Sequence, residues 1–167
     1  MARTESASLP AELVALGVRA GEALRGRRWH IGVAESCTGG LLAATLTAAP
    51  GSSDFFVGGV IAYDNGVKVR LLGVERGVLD SVGAVSAVVA AAMARGVRRA
   101  MGTEVGVGIT GVAGPGFDEG GKAAGLIFVA VDAAGSNRVV RLDEDRGRDG
   151  NRVHAVRTAL TMLLEPT

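Results

Sequence analysis

Ser36 is the side chain of this sequence best placed to act as a nucleophile. It precedes Cys37-Thr38-Gly39-Gly40, which lies between a short apolar run and a second run with helical character. At such a strand-to-helix turn, the first helix amides point toward the serine oxygen or toward an oxyanion beside it. Thr38, Gly39 and Gly40 are therefore candidate ligand-binding residues. The plainer interpretation is that Ser36 and Thr38 only cap the helix, and the two roles are compatible.

A serine nucleophile needs a base, and this sequence offers few candidates. His30 falls inside a predicted strand and His154 within the last predicted helix, so neither is close to a glycine-rich turn. A lysine can take the role when burial lowers its pKa toward neutrality. The chain has only two lysines, Lys68 and Lys122, and its other cationic side chains are arginines, which cannot act as bases. For both lysines the alternative is an ordinary solvated surface position.

The sequence supports a cysteine nucleophile or a catalytic metal less well than a serine nucleophile. Cys37 could replace Ser36 as the nucleophile, because a helix N-terminus lowers a thiol pKa, but a small buried apolar role fits it better. The sequence has no HExxH or CxxC motif and no grouping of histidines with carboxylates. We therefore expect neither a metal nor another cofactor.

A glycine-rich segment near residue 110 invites two interpretations. The spacing of Gly106, Gly108 and Gly111 matches the dinucleotide fingerprint G-x-G-x-x-G, but it lies within a predicted strand and no helical pattern follows it. The segment is more naturally a rigid loop. It would present backbone amides and the Thr110 hydroxyl to a ligand, with Gly111 and Gly114 as candidate contacts.

Helix and strand patterns alternate along the chain and must position these groups. Helices are predicted from Pro10 to the basic stretch at 25–28 and over 41–48, 65–72, 87–101 and 151–164, and strands over 29–34, 55–63, 105–109, 126–131 and 138–142. This order predicts a single α/β domain, a three-layer α/β/α sandwich with a mostly parallel or mixed sheet. The turns at 36–40, 64–66 and 110–116 all follow strands, so the site is expected where they converge.

The bulk composition limits the classes of partner. The 167 residues are 48% hydrophobic, which suits one globular domain over 1–167 with a core from about 10 to 164. Only 4% are aromatic, too few for the stacking surface that single-stranded nucleic acid requires. A single cysteine, no signal-like N-terminus and no long apolar run lead us to expect a cytoplasmic protein that binds neither nucleic acid nor membrane.

Five motifs together resemble the CinA C-terminal family, whose members include nicotinamide-nucleotide amidases. Their order and spacing match along most of the chain, from about residue 10 to 164. The motifs are A-E-S-C-T-G-G at 34–40, P-G-S-S at 50–53, G-G-V-I-A-Y-D-N-x-x-K at 58–68, G-A-V-S at 83–86 and I-T-G-V-A-G-P at 109–115.

The resemblance implies an amidohydrolase that converts nicotinamide mononucleotide to nicotinate mononucleotide and ammonia without a metal. Ser36 would be the nucleophile and Lys68 the base, while Thr110 would orient the lysine or hold the oxyanion. Tyr63 would pack against the pyridinium ring. A homodimer is also implied.

The resemblance is incomplete near the last helix. The family usually shows G-D-R there, where this chain has Asp145-Arg146-Gly147-Arg148, and Arg148 aligns best as a phosphate contact. The family's usual proline after Lys122 is Ala123 here. The alternative function is a non-catalytic nucleotide-binding module, or an interaction domain associated with competence or DNA damage.

Overall fold

The computed structural model describes residues 8–133 and 135–166, in which helices and strands alternate. The helices are α1 (Ala11–Arg27), α2 (Leu41–Thr47), α3 (Asn65–Leu72), α4 (Arg76–Val82), α5 (Ala87–Met101) and α6 (Gly147–Leu164). The strands are β1 (Ile31–Glu35), β2 (Phe56–Ile61), β3 (Val105–Gly111), β4 (Ile127–Ala133) and β5 (Ser136–Leu142). None of the described helices combines the length and apolar character needed to cross a membrane.

The five strands form one mixed sheet in the order β2-β1-β3-β4-β5. Strand β1 runs parallel to both β2 and β3, whereas β4 pairs antiparallel with β3 and β5 antiparallel with β4. The carboxyl ends of β1, β2 and β3 therefore meet at one edge of the sheet, as the sequence predicts.

Helices cover both faces of this sheet, which confirms the three-layer α/β/α prediction. Side chains of α1, α2 and α6 form the larger core against one face, with Leu13, Leu46 and Leu160 fully buried. Helices α3, α4 and α5 build a second core on the opposite face, around Leu72 and Met93.

Local capping signals explain why the middle helices begin and end where they do. Asp64 precedes α3 and its side chain accepts a hydrogen bond from the Gly66 amide at 2.7 Å. The helix ends at Gly73, whose φ of 67° suits glycine. Ser86 caps α5 by accepting from the Val89 amide at 3.3 Å.

Three sequence predictions need correction. The sequence predicts a buried strand over 55–63, but β2 is an edge strand in which exposure alternates: Val60 packs against the core around Leu72 and Met93, whereas Val57 and Ile61 are exposed. Helix α4 was missed because only Leu79 of its residues is buried, so no apolar stripe marks it. Helix α6 begins at Gly147 rather than near residue 151, which places Arg148 in its first turn.

The glycines of the apparent dinucleotide fingerprint serve helix packing. A Cβ atom on Gly106 would lie 2.1 Å from the Ala94 carbonyl oxygen, and one on Gly108 would lie 2.4 Å from that of Ala90. Both oxygens belong to α5. This helix can approach β3 so closely only because these two positions have no side chain.

Candidate active site

A cleft of about 830 Å³ opens at the carboxyl edge of β1, β2 and β3. One wall is the segment 79–85, which contains the end of α4, and another is the glycine-rich segment that follows β3. Of the residues singled out from the sequence, those that line the cleft are Ser36, Cys37, Tyr63, Lys68, Thr110, Gly111, Gly114, Lys122 and Arg148.

Ser36 lies directly after β1 at the base of this cleft. Its amide donates a hydrogen bond to the Ile109 carbonyl at 2.9 Å, which continues the pairing of β1 with β3 by one residue. The side chain is buried yet reaches the cleft, with 8% of the residue exposed. The sheet thus holds the Ser36 backbone in a fixed position.

Lys68 extends from α3 and brings its amine to this hydroxyl. The distance from Lys68 Nζ to Ser36 Oγ is 3.3 Å, although 32 positions separate the two residues. The amine also donates to the carbonyl oxygens of Ala62 at 2.7 Å and Tyr63 at 3.3 Å. The amine is therefore held between one hydroxyl and two carbonyl oxygen atoms.

Burial makes Lys68 a more suitable base than an ordinary lysine. The residue is 1% exposed, and this desolvation lowers the pKa of its amine. The negative charge of Asp64, at the start of the same helix, opposes the shift. Lys68 therefore releases its proton more readily than a solvated lysine does.

Glu35, which sequence reasoning missed, organises the turn around Ser36. Its carboxylate accepts hydrogen bonds from the amides of Gly40 at 3.1 Å, Leu42 at 3.1 Å and Ala43 at 2.8 Å. Glu35 is 1% exposed. The sequence signal for this role was an acidic residue at the end of an otherwise apolar strand, shortly before a helix whose first amides need an acceptor.

The turn residues Thr38, Gly39 and Gly40 lie beside Ser36 but are not among the residues that line the cleft. The Gly39 amide donates to the Ser36 carbonyl at 3.1 Å. Gly40 has a φ of 100°, a conformation that glycine adopts without strain. The Thr38 carbonyl accepts from Arg152 at 2.9 Å, and its hydroxyl has no hydrogen-bond partner within the described part of the chain.

Arg148 and Tyr63 meet at the rim of the cleft. Arg148 donates to the Gly114 carbonyl at 2.6 Å and to the Tyr63 hydroxyl at 3.4 Å. Tyr63 is 62% exposed. A guanidinium and an aromatic ring are thus available to a ligand on the same side of the site.

Thr110 lies deeper, at the end of β3. Its hydroxyl donates to the Ala84 carbonyl at 2.9 Å, which fastens the wall 79–85 to the sheet. Gly111 is paired with Ile127 of β4, so it belongs to the strand and not to the loop predicted for it.

The remaining titratable candidates fit catalysis less well. Burial raises the pKa of the Cys37 thiol to about 12, so the thiolate required for attack is disfavoured. His30 contacts Glu104 away from the cleft, at 3.1 Å from its carboxylate. Among the described residues, no group of three or more histidine, cysteine or acidic side chains could hold a metal ion.

Comparisons with known proteins agree with this architecture. The family model of the CinA C-terminal domain matches residues 14–166. A CinA-like protein of Microcystis aeruginosa is 47% identical over 146 residues, which cover 86% of this chain and 35% of that protein. A CinA-like protein of Gemmatimonas aurantiaca is 50% identical over 133 residues, covering 80% of this chain and 31% of that protein. The chain thus spans about a third of the length of these curated relatives.

A solved structure extends the agreement to three dimensions. The crystal structure of the competence/damage inducible protein CihA from Agrobacterium tumefaciens superposes with a TM-score of 0.90 at 35% identity. The match covers 95% of this chain and 98% of the CihA chain. The family-model match over most of the chain and the extent of these similarities lead to one conclusion: this chain belongs to the CinA C-terminal domain family.

Proposed function

We propose that this chain is a nicotinamide-nucleotide amidohydrolase that uses Ser36 as nucleophile and Lys68 as base. The observation that carries the proposal is the 3.3 Å separation between the buried Lys68 amine and the Ser36 hydroxyl, at the base of an open cleft. A nucleophile within reach of a base of lowered pKa is the arrangement that acyl transfer requires. The family resemblance supplies the substrate, nicotinamide mononucleotide.

The hydrogen bonds of Lys68 suit the first proton transfer. When the amine is neutral, its two N–H groups can be donated to the Ala62 and Tyr63 carbonyls, which leaves the nitrogen lone pair for the Ser36 O–H. The proton moves to Lys68 as Ser36 Oγ bonds to the carboxamide carbon. Lys68 then returns this proton to the departing nitrogen and the C–N bond breaks. Ammonia is released, and the acyl group remains bound to Ser36.

Water completes the reaction by the reverse route. Lys68 accepts a proton from water as the water oxygen bonds to the acyl carbon. The bond between Ser36 Oγ and this carbon then breaks, and Lys68 returns the proton to Ser36 Oγ. The product is nicotinate mononucleotide. The same amine thus acts alternately as base and acid in both halves of the reaction.

The turn after β1 offers a donor for the oxyanion. Glu35 already binds the amides of Gly40, Leu42 and Ala43, so these helix amides are occupied. The Cys37 amide donates to no other described residue, and Cys37 lines the cleft. We assign the oxyanion to this amide, which adjoins the nucleophile.

The rim residues complete the proposed substrate site. Arg148 presents its guanidinium to the phosphate, and Tyr63 places its ring against the positively charged pyridinium. In this proposal Thr110 holds the cleft wall through Ala84 and thereby keeps the carboxamide beside Ser36.

Ammonia release from nicotinamide mononucleotide tests the proposal. Purified wild-type protein should produce ammonia and nicotinate mononucleotide, and Ser36→Ala and Lys68→Ala variants of confirmed fold should not. Binding without turnover by the wild type would favour the non-catalytic nucleotide-binding module instead.

We also propose a homodimer, as the resemblance implies, formed through the free edge of β2. Val57 and Ile61 on this strand are 51% and 57% exposed, and the strand contains no lysine or proline that would discourage pairing. Light scattering after gel filtration should give twice the chain mass. A monomer at every concentration tested, or a dimer unaffected by Val57→Lys with Ile61→Lys, would contradict this arrangement.

A further inference from the structure

Phe117 is an aromatic residue that the proposed mechanism does not use. It lines the cleft and is 73% exposed, although the sequence contains only six aromatic residues. Tyr63 is likewise exposed and lines the same cleft. The four other aromatic side chains, Trp29, Phe55, Phe56 and Phe128, are buried or half-buried. Aromatic exposure in this protein is therefore confined to the candidate site.

The backbone around Phe117 forms a tight hairpin. Phe117 pairs with Ala123 in an isolated antiparallel bridge. The Asp118 amide donates to the Lys122 carbonyl at 2.9 Å, and the Asp118 carboxylate accepts from the Lys122 amide at 2.7 Å. The Ala124 amide closes the base of the hairpin on the Gly116 carbonyl at 2.7 Å. An extensively bonded hairpin holds its side chains in place better than an open glycine loop would.

Lys122 fastens this hairpin to the opposite wall of the cleft. Its amine donates to the Val82 carbonyl at 2.7 Å and also to the Val85 carbonyl. Both carbonyls lie in the wall 79–85, so the lysine bridges the two sides. The second lysine of the chain thus has a role in positioning, distinct from that of Lys68.

We propose that Phe117 stacks on the pyridine ring of the mononucleotide. This contact would make the site prefer ligands that carry a planar, positively charged ring. The proposal rests on the function proposed above. An exposed phenyl ring held at a cleft gains contact area when a planar ligand covers it, and its electron-rich face attracts a positive ring. The contact is made in the ground state as well as during reaction, so it acts on binding and not on the chemical step.

Kinetics on ring variants test this role. Phe117→Ala should raise KM for nicotinamide mononucleotide by about 3- to 30-fold with kcat nearly unchanged, which is the range of cation–π and stacking contacts. Phe117→Tyr, which keeps the ring, should resemble the wild type, and Phe117→Leu should resemble Phe117→Ala. Leu71→Ala removes an exposed apolar side chain that does not line the cleft, and should change neither constant.

Binding measurements separate this proposal from the catalytic one. Calorimetry in a Ser36→Ala background should show that Phe117→Ala weakens nicotinamide mononucleotide but leaves ribose 5-phosphate, which lacks the ring, unaffected. Equal weakening of both ligands, or no weakening of either, would overturn the stacking role. If the wild type binds the mononucleotide without turnover, the catalytic proposal fails while this comparison still decides the role of Phe117. If it binds no mononucleotide, both proposals fail.

Discussion

The Lys68 amine lies 3.3 Å from the Ser36 hydroxyl oxygen, and both residues are at least nine-tenths buried. Since the proposed mechanism places the two groups in the same proton transfer, their substitutions should not be additive. Ser36→Ala and Lys68→Ala should each lower kcat by about 10³-fold or more, and the double variant should be no slower than either. Ammonia production under single-turnover and steady-state conditions measures this.

Lys68→Arg distinguishes a base from a mere positive charge. Arginine keeps the charge but does not lose its proton in proteins, so this variant should be as inactive as Lys68→Ala. Turnover comparable to wild type in Lys68→Arg would show that the cation alone suffices.

The pH dependence of turnover should report Lys68. In the proposed mechanism the neutral amine is the active form, so kcat/KM should rise with pH through the pKa of Lys68, which burial lowers from the usual lysine value. Asp64→Asn removes a negative charge that favours the ammonium, so the pKa should fall further and the rising limb should move to lower pH. Asparagine retains an oxygen for the Gly66 amide, which preserves the helix cap.

Asp54→Asn is the matched control for this shift. Asp54 is an exposed acid that pairs with Arg25 outside the cleft. Its replacement should leave the profile of kcat/KM against pH unchanged. A rising limb that stays in place, or moves to higher pH, in Asp64→Asn would exclude Lys68 as the titrating base.

Glu35→Ala should reduce both stability and turnover. It leaves the amides of Gly40, Leu42 and Ala43 without their buried acceptor, so the free energy of unfolding should fall by about 1–3 kcal/mol. Turnover should fall as well, because the Ser36 turn loses its support. Urea unfolding and ammonia release on the same sample test both effects. Glu104→Ala removes an exposed carboxylate that accepts from the His30 backbone amide and contacts its ring, and it should cost less than Glu35→Ala because water can replace these contacts.

Arg148→Ala should weaken substrate binding through the phosphate. Loss of a charge-assisted contact predicts a KM increase of about 10- to 100-fold for nicotinamide mononucleotide, with a smaller change in kcat. Nicotinamide riboside, which lacks the phosphate, should bind equally to wild type and variant. Arg141→Ala removes a surface arginine of β5 and should leave KM unchanged. A similar loss of affinity for both ligands would place Arg148 elsewhere than on the phosphate.

Gly108→Ala should destabilise the fold without any direct effect on the cleft. Its Cβ would lie 2.4 Å from the Ala90 carbonyl oxygen and 2.7 Å from the Ala94 amide nitrogen, so α5 would have to move away from β3. We expect a loss of about 1–3 kcal/mol or more in the free energy of unfolding. Gly77→Ala in α4 meets no atom within 4 Å and should be neutral or stabilise by about 0.5–1 kcal/mol. Denaturant titrations of the two variants compare these outcomes, and equal stabilities would contradict close packing at Gly108.

Helix boundaries with strong local signals were predictable from the sequence. The predicted helix 65–72 coincides with α3, because Asp64 and Gly73 supply a cap and a stop within the segment itself. Ser86 likewise marks the start of α5. Where such signals are weak, as at the start of α6, the sequence placed the boundary several residues late.

The sequence by itself determined the alternation of strands and helices, the turn that carries Ser36, and the two lysines available as a base. These properties depend on hydrogen bonds and side-chain spacing within a few residues. The residue pattern left both lysines open, and the family resemblance favoured Lys68. Only the tertiary structure decided that its amine lies beside Ser36, that this amine is buried, and that Glu35 occupies the helix amides. Desolvation depends on neighbours that packing brings from distant segments, and no local pattern along the chain encodes those neighbours.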